Sequence, residues 1–122
     1  MTLDADERRA LNDFTGNLHR RLPRSVMHVE LFGSKARGDS HADSDIDVLV
    51  VLSEAPSPAV DSVYDLVMDV LLETGVYLSV LVYDQQEFSA LVARRTPFMK
   101  NVSEEGVDLW SKTGESRLLP IV

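Results

Sequence analysis

The sequence predicts a small α/β domain in which a mixed β-sheet is flanked by helices. Three observations carry this. The run from Asp45 to Leu52, DIDVLVVL, has apolar residues pointing to both faces, the pattern of a central strand covered on both sides. Stretches of helical period alternate with strand-like runs along the chain, in the order helix, strand, strand, helix, strand, helix, helix, strand. Finally, 122 residues with 44% hydrophobic content suffice for one packed core and are too few for two.

The elements follow in order. Asp4 and Glu7 have capping-box spacing, and Leu11, Phe14, Leu18 and Leu22 then recur at helical intervals until Pro23 ends the run. Val26 to Phe32 reads as a short strand leading into Gly33-Ser34. Lys35 to Ser44 is polar and is expected to be mostly turn and loop. After the Asp45–Leu52 strand, Ser57 reads as an N-cap with Pro58 at the first helical position. Val60, Val63, Tyr64, Val67, Val70 and Leu71 form its apolar stripe, and Gly75 stops it. Val76 to Tyr83 is a third strand. Asp84 and Glu87 repeat the capping-box spacing, Thr96-Pro97 opens a further helix closed by Gly106, and Val107 to Trp110 is a last short strand. Residues 1–111 are thus read as a single domain and 112–122 as a flexible C-terminal tail.

Composition narrows the function. The formal net charge of −8 argues against direct nucleic-acid binding, which needs Lys and Arg against phosphates. Acidic surfaces are also ordinary aids to solubility. Arg8, Arg9, Arg20, Arg21 and Arg24 crowd the first fifth of the chain and read as a solvated helix face. Without cysteine there is no disulfide framework, thiolate zinc site or thiol nucleophile. No signal peptide or membrane-length apolar run is evident, so a cytoplasmic protein is expected.

The segment from Leu31 to Leu52, LFGSKARGDSHADSDIDVLVVL, carries the chemistry. Residues two apart on a strand face the same way, so Asp45 and Asp47 project side by side. Two such carboxylates repel, and a divalent cation resolves the conflict; oxygen ligands of this kind are those Mg²⁺ prefers. Gly33 after a strand permits a sharp turn and close backbone approach. Ser34 adds a hydroxyl, free N–H groups in such a turn make an anion-binding concavity, and Arg37 lies within reach of phosphate oxygens. Alone, Gly-Ser is ordinarily a turn and Asp-x-Asp a strand-end or calcium-loop fragment. Here both stand in order, each beside its own strand, and a hydrophobic strand follows Asp47 directly where a calcium loop would continue with oxygen ligands.

Gly33-Ser34, ten intervening residues and Asp45-Ile46-Asp47 resemble the signature of the polymerase-β-like nucleotidyltransferases. The fuller pattern, Gly-Ser-x-Ala-Arg-Gly followed by Ser-Asp-Ile-Asp, is similar to the minimal nucleotidyltransferase group. That resemblance implies the fold of the family, a nucleoside triphosphate such as ATP as substrate with Mg²⁺, and transfer of a nucleoside monophosphate to a hydroxyl. It implies that Gly33, Ser34, Arg37 and Ser44 bind nucleotide and that Asp45 and Asp47 are catalytic metal ligands. It further implies a HEPN-domain toxin as partner, silenced by adding AMP to it, in a hetero-oligomer or alongside a homo-oligomer.

One departure stands out. Catalytic members usually carry a third carboxylate on a neighbouring strand, and by the resemblance it would fall at about Ser79. A serine is no anionic ligand and no general base. Asp84 lies on the other face by strand parity and is expected to cap a helix, and Asp69 and Glu73 look solvated. Two readings therefore stand: an Mg²⁺-dependent adenylyl-transferring antitoxin, or a non-catalytic module that neutralises its partner by binding. A third, transfer to a small-molecule hydroxyl, generally goes with an added helical domain for which 122 residues leave little room.

Overall fold

In the computed structural model, which describes residues 3–38 and 45–111, nine elements follow one another. They are α1 (Ala5–Arg21), β1 (Val26–Phe32), α2 (Gly33–Arg37), β2 (Ile46–Leu52), α3 (Ser57–Thr74), β3 (Leu78–Asp84), α4 (Gln85–Arg94), α5 (Pro97–Glu105) and β4 (Val107–Ser111). Ser44, His41 and the expected tail 112–122 lie outside the described residues.

The four strands form one mixed sheet in the order β3-β2-β1-β4. β1 pairs antiparallel with both β2 and β4, while β2 and β3 run parallel and are joined by the α3 crossover. β2 is central, as its two-sided apolar pattern requires. One sheet face, carrying Val29, Leu31, Val48, Val50, Leu78 and Val80, packs with Phe14 and Leu18 of α1 and Val63 and Val67 of α3. The other carries Leu49 and Val51 under Met99 and Val102 of α5, with Phe32, Tyr83 and Phe88 at the margin.

Local chemistry sets the helix ends. Asp4 accepts from the Glu7 N–H and Glu7 from the Asp4 N–H, the full capping box; Asp84 and Glu87 repeat it at α4. Thr96 caps α5, and Gly75 closes α3 in the left-handed conformation at φ 75°. Three expectations are corrected. The cap of α3 is Pro56, whose carbonyl accepts from the Ala59 and Val60 N–H groups, and Ser57 is already helical with no side-chain cap. Its buried stripe includes Leu66, whereas Tyr64 lies at the edge, 44% exposed, donating its hydroxyl to the Val80 carbonyl. The stretch after Gly33 is no loop at first: Gly33–Arg37 is a helical turn closed by Gly38 at φ 85°. It is held from outside, because Lys35 is 2% exposed and places Nζ 2.9 Å from Glu7 Oε2 of α1.

Candidate functional site

β1 runs directly into Gly33, where the chain turns at φ +77°, a left-handed value that disfavours any side chain. The β1–β2 register sets Asp47 opposite Phe32. Residues so paired share a face, and the Asp47 carboxylate accordingly lies over the Gly33 backbone: a Cβ at position 33 would collide with Oδ2. Glycine is thus required there twice, by conformation and by the carboxylate above it.

Asp45 stands exposed one residue before β2, in parity with Asp47. Burial and then the neighbouring Asp45 charge push the Asp47 carboxyl above its ordinary range, and the Arg37 guanidinium opposes them. An anion that burial and a like charge both disfavour is a natural cation ligand. The donor set of two carboxylates fits Mg²⁺, whose sites combine one or two carboxylates with waters and phosphate oxygens.

The sequence-derived residues therefore gather unevenly. Gly33, Asp47 and Arg37 converge, and Asp45 is coupled to Asp47 by charge. Ser34 is the second residue of α2, half-buried, and its carbonyl accepts from the Gly38 N–H at 3.0 Å. Among the described residues no side chain caps α2. Arg37 Nη1 lies 3.4 Å from Glu105 Oε2 at the end of α5. Between α2 and α5 opens a cleft of about 180 Å³, lined by Phe32, Gly33, Arg37, Phe98, Asn101, Val102 and Glu105. Phe32 and Phe98 meet edge to face there, ring centroids 5.5 Å apart. A larger cavity of about 430 Å³ lies beyond α5, against α4, lined by Val92, Arg95, Met99, Lys100 and Ser103. None of its lining residues belongs to the Gly33–Asp47 segment, whereas Gly33 and Arg37 line the smaller cleft.

The parallel β2–β3 register makes Ser79 the residue beside Asp47. That position holds a hydroxyl and no third carboxylate. Asp84 caps α4, and Asp69 and Glu73 are exposed on α3, all as expected. Glu105, Phe98 and the Lys35–Glu7 pair carried no functional signal in the sequence; only the basic residues inside the Gly-Ser-x-Ala-Arg stretch hinted that something acidic must meet them.

Comparison with known proteins decides the family. The profile described as "Nucleotidyltransferase domain" matches residues 13–108, most of the chain. The chain belongs to the nucleotidyltransferase-domain family. A protein of Methanocaldococcus jannaschii, named as a candidate protein adenylyltransferase, is 34% identical over 101 residues, 83% of this chain and 95% of that protein. Among solved structures, a nucleotidyltransferase candidate from Sulfolobus solfataricus aligns over 97% of both chains with a TM-score of 0.58 at 19% identity. A toxin–antitoxin structure with AMP-PNP aligns over 83% of this chain and 73% of that one, TM-score 0.51, identity 21%. Both share the nucleotidyltransferase fold with this chain. The mixed sheet flanked by helices predicted from sequence is that fold, and the family makes the chain a transferase. Among the described residues no helix is long and apolar enough to cross a membrane.

Proposed function

We propose that this nucleotidyltransferase transfers AMP from Mg²⁺-bound ATP to a hydroxyl on a protein partner, and that the partner is a HEPN-domain toxin for which it is the antitoxin. The observation that carries the catalytic half is the Asp47 carboxylate seated over Gly33, with Asp45 beside it and Arg37 opposing their charge. The relative named as a candidate protein adenylyltransferase supports the adenylyl group and the protein acceptor. The toxin–antitoxin structure with AMP-PNP supports a toxin as partner, and its HEPN identity rests on the resemblance of the Gly33–Asp47 motif.

In this reading Asp45 and Asp47 hold the metal, which when bound polarises the phosphates and offsets charge developing in phosphoryl transfer. Gly33 lets the backbone approach the triphosphate, while Ser34 and Arg37 bind its oxygens; Ser44 is assigned the same role from the motif. Arg37 reaches the cleft anchored by Glu105. The acceptor proton has no carboxylate base on β3, since Ser79 stands beside Asp47. We assign that proton to a group of the partner, which makes transfer partner-dependent.

Ser79 also favours a second reading, in which the chain binds nucleotide or partner and neutralises by complex formation alone. One experiment separates them. The chain, ATP, Mg²⁺ and a purified HEPN-domain toxin are incubated and the toxin is read by intact-mass spectrometry. Transfer predicts addition of AMP to the toxin that disappears with Asp45→Asn/Asp47→Asn. An unmodified toxin, neutralised equally well by that double variant, establishes the binding reading.

A further inference from the structure

Away from the Asp45–Asp47 pair, strand alternation puts His28 and Glu30 on the sheet face that also bears Asp47. Glu30 lies two and His28 four residues back from Phe32, roughly 7 and 13 Å along β1. The β1–β4 ladder shifts register between Val29 and Glu30, and this sets Asp108 of β4 opposite Glu30. His28 Nε2 is 2.8 Å from Glu30 Oε1 and 3.4 Å from Asp108 Oδ1. One ligand atom from each of the three residues lies within 4.8 Å of the others.

Glu30 is the unusual member. It is 7% exposed in an otherwise apolar stretch of strand, and its Oε2 is buried with no hydrogen-bond partner among the described residues. Gly106 leaves it room, since a Cβ there would collide with that oxygen. A buried anion without full compensation is costly. A proton on His28 supplies one positive charge and leaves Oε2 unsatisfied, while burial and the neighbouring Asp108 hold the Glu30 carboxyl above its ordinary range. A dication balances both carboxylates and takes the neutral imidazole as its third ligand.

The geometry suits such an ion. Ligands about 2.0–2.1 Å from a tetrahedral centre are about 3.3 Å from each other, and the observed 2.8 and 3.4 Å bracket that spacing. The His28 and Asp108 side chains are 21% and 45% exposed, which leaves an entry path and one side of the cluster open to solvent. One imidazole nitrogen with two carboxylates matches zinc-type divalent ions, whereas Mg²⁺ prefers six oxygens. We propose that His28, Glu30 and Asp108 form a site for a divalent transition-metal ion of the zinc type, separate from the Asp45–Asp47 pair, that ties β4 to β1.

The test uses the full chain, stripped of metal and titrated with Zn²⁺ alone by calorimetry in the presence of excess Mg²⁺. The wild type is expected to take up one Zn²⁺ that Mg²⁺ does not displace. His28→Gln and Glu30→Gln are expected to weaken it more than about 100-fold, beyond the loss typical of an outer-shell partner. Asp45→Asn/Asp47→Asn is expected to retain it. Equal binding by His28→Gln, or loss of the ion in the Asp45/Asp47 double variant, overturns the proposal. If the His28 or Glu30 variants do not fold, the imidazole nitrogens of the ¹⁵N-histidine-labelled wild type are followed by NMR. A Zn²⁺-dependent shift of His28 Nε2 upholds the site, and shifts confined to the other histidines overturn it.

Discussion

Gly33 and Gly75 have nearly the same backbone, φ +77° and +75°, in different surroundings. A Cβ at Gly75 meets nothing within 4 Å; a Cβ at Gly33 runs into the Asp47 carboxylate. Gly75→Ala therefore measures the left-handed backbone penalty alone, about 1–2 kcal/mol. Gly33→Ala carries that penalty and also drives Asp47 off its position. Displacing or straining one side chain by a rotamer step adds about 1 kcal/mol, so the total is about 2–3 kcal/mol in urea unfolding. The decisive readout is binding of Mg²⁺ with a non-hydrolysable ATP analogue. Losing one charge-assisted ligand contact, about 1.5–3 kcal/mol, weakens Gly33→Ala roughly 10- to 150-fold, while Gly75→Ala binds as wild type. Equal stability losses and equal nucleotide affinities in the two variants would refute the claim that Gly33 is kept clear for Asp47.

Further outcomes follow from the same geometry. Ser79→Asp sets a third carboxylate beside Asp47 and is expected to raise AMP transfer about 100-fold, the lower end for a positioned general base; an unchanged or lower rate shows that the missing base belongs elsewhere. Glu7→Gln keeps the cap on the Asp4 N–H but removes the charge facing buried Lys35, and should cost about 3 kcal/mol in urea unfolding; a loss under about 1 kcal/mol shows that Lys35 is satisfied by other neighbours. The raised Asp47 carboxyl binds its proton more tightly folded than unfolded. Its contribution to stability is therefore greatest in acid and is lost as pH rises through the folded value. In EDTA at neutral pH, Asp47→Asn should melt no lower than wild type and should flatten this pH dependence; a lower melting temperature across mildly acidic to neutral pH would contradict the burial argument.

The parts of the molecule that short-range chemistry decides were readable in the sequence. Capping boxes at Asp4 and Asp84, the Thr96-Pro97 start and the Gly75 stop all lie where pattern puts them, because each involves residues three or four apart. The resemblance put the third-carboxylate position at about Ser79, and the parallel β2–β3 register then set Ser79 beside Asp47. What escaped depends on distant partners. Lys35 reads as a loop cation until Glu7, 28 positions earlier, buries it and a helical turn forms around it. Arg37 looks free to meet phosphate until the fold brings Glu105 to it. Tyr64 counts as apolar in a helical stripe, but its hydroxyl seeks the Val80 carbonyl and keeps it at the edge while Leu66 goes inside. Glu30 carried no signal in the sequence, because its partner Asp108 lies 78 positions later and only the β1–β4 register brings the two together.

The central claim is that Gly33, Asp45 and Asp47 make one metal-dependent nucleotide site. Isothermal titration of a non-hydrolysable ATP analogue, with and without Mg²⁺, into wild type and Asp45→Asn/Asp47→Asn tests it most directly. The account predicts one nucleotide per chain, affinity enhanced at least about tenfold by Mg²⁺ (one 1.4 kcal/mol step), and that enhancement gone in the double variant. Binding that is indifferent to Mg²⁺, or that survives unchanged without both aspartates, would contradict it.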